Sequence, residues 1–364
     1  MTELTPPVRA ERPGRSGLRD LHPGSFAFVM ATGILSTGEA AFGRQLTSGA
    51  LLVVAAAGYL FLCVVYALRA AWYPTRFWAD TRRPERAFGF FTFVAGSNVL
   101  AVRLALAGQF VAAEALAVVG GVAWLLLSYG IFARIALARV KPPPGEAVNG
   151  SWLIWVVATQ SVSIAFSVLG AGSGLSPRLA ALVATSLWAV GVLLYVLLMA
   201  IILARLLLLP LNAAEASPPY WITMGATAIT VLAGAGLLRL SPSLPSLAVR
   251  STVEGFTLFL WAFGTWWIPF LVLLTVWRYR SPAVRVYEQT LWSMVFPLGM
   301  YAVATAAFGE AAGLPLLTPI ASAEIWLALT AWLAVAAWMV ISWMRPDWPS
   351  GLRLAGRTGR STRG

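Results

Sequence analysis

YEQTLWSMVFPLGMYAVAT, residues 287–305, is apolar enough to cross a bilayer, yet it carries Phe296-Pro297 and Gly299 at its middle. Proline lacks an N–H and its ring collides with the carbonyl four residues back, so a helix kinks there. Gly299 adds a position without a side chain. In a membrane, such a helix needs neighbours or a cavity to satisfy the freed carbonyl. An aromatic ring beside the kink is placed to plug a narrow pathway. The simpler reading makes Phe296 a packing residue in a bent helix, and the rest of the chain decides between the two.

The composition makes lipid the solvent. Of 364 residues, 59% are hydrophobic and 11% charged, and the mean hydropathy is +0.78. A soluble domain carries about one quarter charged residues. The formal net charge of +12 says little until the charges are placed. The one cysteine, Cys63, lies in an apolar run and excludes a disulfide framework or a Cys-based metal site. The one histidine, His22, excludes a His-rich metal centre, and no cofactor is implied. No signal peptide is expected: residues 1–22 are polar and contain Arg9, Arg12, Arg15 and Arg19.

From there, apolar runs of about 20 residues recur, the length a helix needs to span the hydrocarbon layer. The expected spans are 24–43, 48–68, 88–107, 113–138, 151–170, 178–208, 219–238, 253–277, 289–308 and 322–344. Residues 23–344 thus form one ten-helix transmembrane domain between a basic tail (1–22) and a basic, disordered tail (345–364). With both ends inside, most of the 26 Lys and Arg fall on the cytoplasmic side, and only Arg44, Arg178, Arg239 and Arg250 lie outside. That pattern predicts a multi-pass protein of the cell membrane with cytoplasmic termini. The weakest cytoplasmic loop, 205–218, holds one Arg.

Odd and even helices differ. Helices 1, 3, 5, 7 and 9 begin with aromatics and carry Gly, Ser, Thr, Asn, Gln or Pro near mid-membrane. The even helices are nearly uninterrupted Ala, Leu, Val and Trp. The alternation predicts five hairpins, with odd helices inside and even helices facing lipid, although small-residue packing alone also favours Gly, Ser and Thr. Helical spacing puts Phe26, Met30, Gly33 and Thr37 on one face, and likewise Thr92, Gly96, Val99 and Arg103. The corresponding sets are Thr159, Ser163 and Phe166; Thr223, Thr227 and Thr230; and Ser293, Phe296 and Met300. These mildly polar faces suit a narrow pore that coordinates an ion without binding it tightly.

By these spans the fourteen acidic residues lie near helix ends or in loops. A cation pathway or proton relay usually needs a buried carboxylate. Arg103, about one helical turn inside the outer surface, is the one charge in a span interior. It either attracts anions to the pathway or snorkels outward to pair with Glu39 or Glu114. The 17 Trp fit an interfacial belt (Trp72, Trp78, Trp152, Trp221, Trp343, Trp348), with Trp266 and Trp267 on the outer ring. No HExxH, GxSxG or Walker loop occurs, and Ser173 has no His partner, so no enzyme is expected.

The stretches LHPGSFAFVMATGILSTG and LWSMVFPLGMYAVAT resemble the tellurite-resistance/dicarboxylate transporter family. That family includes TehA-type channels, fungal malate and sulfite transporters, and plant guard-cell slow anion channels. The resemblance rests on Pro23, Gly24, Phe26, Met30, Thr32, Gly33 and Ile34, and on Trp292, Phe296, Pro297, Leu298, Gly299 and Met300. It covers nearly the whole chain apart from the tails. It implies ten helices in quasi-five-fold order around a central pore, a gating phenylalanine at Phe296, and a trimer in TehA-like members. Pro297 and Met300 look more like the malate and sulfite branch. The expected function is passage of small inorganic or dicarboxylate anions past Phe296. The alternative is a proton-coupled C4-dicarboxylate or sulfite carrier, for which His22, Glu39 and Glu288 are the titratable candidates. No nucleic-acid partner is expected.

Overall fold

The computed structural model describes residues 17–170, 176–240 and 246–344. Residues 1–16 of the first tail, the tail 345–364 and Ser173 lie outside the described residues. Among the described residues the protein is all-helical, without strands, and ten helices have 15 residues or more. We label them α1 (Ala27–Ala41), α2 (Gln45–Trp72), α3 (Phe91–Leu106), α4 (Phe110–Ala136), α5 (Ile154–Leu169), α6 (Pro177–Leu208), α7 (Ile222–Arg239), α8 (Leu247–Tyr279), α9 (Trp292–Ala311) and α10 (Leu317–Met344). Nine of these segments are long and apolar enough to cross a membrane. The exception is α1, whose 15 residues fall below the ~20 a straight span needs. A 3-10 turn, Pro23–Phe26, runs directly into it.

Burial separates two classes of helix. The α3, α5, α7 and α9 segments are 72–89% buried over their most apolar window, whereas α2, α4, α6, α8 and α10 are 11–39% buried. The outer helices expose residues such as Leu60, Phe61, Leu126, Phe259 and Leu327, which water would penalise and lipid does not. Some run past the expected spans, as in Leu247–Tyr279 against 253–277, with Arg250 and Arg278 near its two ends.

Each buried helix is entered through a 3-10 turn: Pro23–Phe26, Phe88–Phe90, Gly150–Leu153, Pro218–Trp221 and Gln289–Leu291. In two of them a side chain caps the turn. His22 Nδ1 accepts from the Gly24 N–H and Asn149 Oδ1 from the Ser151 N–H. At the far end, the three described turns between a buried helix and its successor each use a glycine at positive φ: Gly43, Gly108 and Gly313.

Each buried helix packs on the outer helix that follows it, and the buried helices pack on one another in a closed circuit, α1–α3–α5–α7–α9–α1. A repeated polar contact ties each outer helix to the next buried one. Tyr59 of α2 shares a hydrogen bond with Ser97 of α3 (2.9 Å). Trp124 of α4 donates to Thr159 of α5 (2.9 Å). Trp188 of α6 donates to the Thr230 carbonyl of α7 (3.1 Å). Trp261 of α8 donates to Thr305 of α9 (3.1 Å). Trp332 of α10 donates to Thr32 of α1 (3.0 Å), which closes the circuit. The four indoles point inward as donors, a role the interfacial-belt expectation did not give them.

Glycines on outer helices admit polar side chains from within the same pair. Asn98 lies against Gly120, Gln160 against Gly191 and Thr227 against Gly264. A Cβ at those glycines would stand 2.8, 2.3 and 2.3 Å from the partner side chain. At the opposite ends, which we call the basic end, Arg69, Arg205 and Arg278 close α2, α6 and α8 and pin the loops. They pair with Asp80 (2.6 Å), Glu215 (3.0 Å) and Glu288 (2.6 Å).

Candidate functional site

Two small spaces lie among the buried helices, and each is bordered by all five of them. The first, about 10 Å³, is walled by Ala27 and Met30 of α1, Thr92 of α3, Ile154 and Val157 of α5, Ile222 of α7, and Ser293 and Phe296 of α9. The second, about 30 Å³, meets Ile34 and Thr37; Asn98, Val99 and Val102; Ser161 and Ile164; Ile229 and Leu232; and Met300. A cavity needs roughly 10–15 Å³ to hold a single water. The axis at this level is therefore closed to a hydrated ion. No charged side chain borders either space.

Phe296 is 1% exposed and borders the first space, while Met300, one helical turn on, borders the second. The sequence around Phe296 explains its seat. α9 runs through Pro297 without interruption. The missing N–H leaves the Ser293 carbonyl without its intrahelical donor, and Ser293 faces the first space. Pro297 sits in a notch at Gly225 of α7, where a Cβ would lie 2.7 Å from its Cγ. Gly299 lets Ile34 and Leu35 of α1 approach the other flank, with 3.1 Å from a Cβ there to Ile34. Proline and glycine thus wedge α9 between α7 and α1 with the phenylalanine turned to the axis.

Of the residues expected on the inner faces, the structure brings Met30, Thr37, Thr92, Val99, Ser293, Phe296 and Met300 to these two spaces. It places the others elsewhere. Phe26 packs on Tyr59 and Tyr66 of α2 and on Phe93. Gly33 and Gly96 form the α1–α3 contact, opposite Val99 and Val29. Thr159 accepts from Trp124, and Ser163 donates to the Ala184 carbonyl of α6 (2.7 Å). Phe166 borders a lateral cavity against α4. The Thr223 carbonyl accepts from Tyr195 of α6, Thr227 fills the Gly264 notch, and Thr230 donates to its own helix at Ala226. These hydroxyls are satisfied by helix carbonyls and outer-helix donors, so their periodic face in α5 and α7 looks outward. The axial residues of α7 are Ile222, Ile229 and Leu232, and the axis is more apolar than the spacing predicted.

Arg103 borders neither space. It is 5% exposed and donates to Ser36 Oγ (2.9 Å) and Ser48 Oγ (2.8 Å), which joins α1, α2 and α3. The two serines also donate to each other's carbonyls. Glu39 pairs with Arg44 (2.7 Å) instead. Of the titratable candidates, His22 is held by its turn and Glu288 by Arg278. Burial, helped by nearby Arg86, pushes the His22 pKa down to about 4.

Sequence reasoning missed Asn98 and Ser161. Asn98 Nδ2 donates to Ser161 Oγ (3.0 Å) across the second space. Their signal was an amide and a hydroxyl at the centre of two apolar helices. Also missed was Glu324, on α10 behind α9, where one carboxylate oxygen is buried without a hydrogen-bond partner.

These features define a polytopic α-helical membrane protein whose buried helices enclose an uncharged axis. Residues 20–340 match the voltage-dependent anion channel (SLAC1) family, and the chain belongs to it, as the two quoted motifs lead one to expect. An uncharacterized membrane protein of Mycobacterium tuberculosis is 47% identical over 137 residues, 37% of this chain and 70% of that protein. Two uncharacterized transporters of Methanocaldococcus jannaschii align over much more. One is 24% identical over 326 residues, 86% of this chain and 92% of its own length. The other is 26% identical over 299 residues, 78% and 82% respectively.

Proposed function

We propose that this protein passes small anions across the cell membrane along the axis of α1, α3, α5, α7 and α9, with Phe296 as the gate. In this reading the fold is ten spans in five hairpins with quasi-five-fold order. The 3-10 turn before α1 completes the tenth span, and the basic end faces the cytoplasm. The observation that carries the proposal is the Phe296 ring at an uncharged space shared by all five buried helices. A neutral path without a carboxylate does not attract cations, and hydroxyl and backbone dipoles suffice for weak, reversible anion contacts. A homotrimer is the expected assembly.

The test is efflux from liposomes loaded in turn with chloride, nitrate, sulfite and malate. Phe296→Ala is expected to conduct each permeant anion at least tenfold faster than wild type. Equal rates would remove the gate. The carrier alternative draws on Pro297 and Met300, which resemble the malate and sulfite branch. It requires malate uptake that acidifies the lumen and depends on a pH gradient, whereas a passive path gives neither. His22 is poorly suited to proton coupling, because its ring nitrogen holds the Gly24 N–H.

A further inference from the structure

Between α2 and α4, at the basic end, lies a lateral cavity of about 550 Å³. Its wall is apolar and aromatic, with Phe26, Phe93 and Cys63 on one side and Leu127 and Gly130 of α4 on the other. The short helix Pro74–Asp80 contributes Phe77 and Trp78. Arg134 borders the same cavity near the end of α4. Volumes of roughly 300–1,000 Å³ are those of sites that enclose a small apolar ligand.

A comparison within the molecule gives Arg134 its meaning. The arginines at the ends of α2, α6 and α8 are each buried and matched to a carboxylate. Arg134 holds the equivalent place on α4. Its contacts are the Thr81 hydroxyl (2.8 Å) and the face of Trp78 (5.0 Å), and among the described residues no carboxylate pairs with it. An arginine held by a hydroxyl and a ring keeps its charge for an anion. Here the charge stands at the edge of an apolar cavity, at the end of the helices where the arginines gather, which the proposed function places at the membrane surface. The field favours an anionic head, the wall favours hydrocarbon, and one molecule supplies both.

We propose that this cavity binds an anionic phospholipid of the leaflet at the basic end, one acyl chain lying between α2 and α4 and the phosphate on Arg134. Basic pockets between membrane helices on that side recognise anionic headgroups, and each buried methylene adds to the affinity. A free inorganic anion is disfavoured, because the aromatic wall would strip its water without replacing it.

The chain carries its own reporter. Cys63 is the one cysteine and lines the cavity. The full-length protein in detergent is titrated with phosphatidylglycerol, phosphatidylcholine of the same chains, or inorganic phosphate. Alkylation of Cys63 is timed, and retained lipid is counted by native mass spectrometry. Phosphatidylglycerol is expected to slow alkylation and to be retained at one per chain. Phosphatidylcholine should act about fivefold more weakly, the loss expected for one arginine–headgroup charge contact, and phosphate should not act at all. Arg134→Gln should bring phosphatidylglycerol down to the phosphatidylcholine level. Gly130→Leu is the second variant. A Cβ at Gly130 meets nothing within 4 Å, so the side chain grows into open space without disturbing α4. It should abolish lipid retention with Arg134 intact. Equal protection by the two lipids, full retention in Arg134→Gln, or lipid-independent protection that tracks oligomer formation would each overturn the proposal. The last would mean that a second copy of the chain fills the cavity.

Discussion

His22 shows how much one side chain can carry. Its ring caps the first 3-10 turn, and its carbonyl accepts from Ser25 Oγ (2.7 Å) and from the Tyr66 hydroxyl. Its folded pKa of about 4 lies below the ordinary 6.5. Between those values the unfolded chain binds the proton and the folded protein does not, so stability is intact above 6.5 and falls as the pH drops towards 4. Thermal unfolding of wild type in detergent should show that fall. His22→Gln, which keeps an acceptor for the Gly24 N–H, should lack this part of it. Identical pH curves would refute the assignment. At this scale legibility was uneven. Helical spacing put Ser293, Phe296 and Met300 on one face, and all three border the two spaces. Thr159, Ser163 and Thr227 were not legible, because a hydroxyl in an apolar helix serves a pore, a neighbouring indole or its own i−4 carbonyl with the same spacing. Sequence period names the face but not what the face meets.

Helices tell a clearer story. The contrast between aromatic, Gly/Ser/Thr-rich segments and Leu/Val-rich ones predicts which helices are buried, and the burial of α3, α5, α7 and α9 against their partners agrees. What escaped was the 3-10 entry to each buried helix, because a 3-10 turn has no hydrophobic period of its own. The FPLG stretch acts at this scale as a wedge. Gly225→Val would place a Cβ 2.7 Å from Pro297, with two further methyls beyond it. Overpacking of that kind costs about 1–3 kcal/mol. The variant should unfold at lower denaturant, and Gly225→Ala by a smaller margin. If Gly225→Val is as stable as wild type, α7 and α9 do not meet at this notch.

At the scale of the molecule, order comes from repetition. Five outer-to-inner hydrogen bonds run in one sense around the circuit, and the bond between Trp332 and Thr32 joins the last helix to the first (3.0 Å). Trp332→Phe keeps the ring and removes the donor, so it should lower stability by about 1 kcal/mol, the worth of one such bond. A larger loss in Trp332→Phe than in Trp124→Phe would mark the closing contact as the one that contributes more; no loss in either would contradict the circuit as a stabilising device. The circuit was not legible in the sequence, because its partners lie up to 300 residues apart. The basic ends of α2, α4, α6 and α8 were legible, since the charge bias between the two sides sets them. The proposed function has anions travel the axis past Phe296. Its most direct test is the reversal potential of Phe296→Ala in a planar bilayer under a potassium chloride gradient. The expected result is a current well above wild type that reverses near the chloride equilibrium potential. Reversal near the potassium potential, or no current beyond wild type, would contradict it.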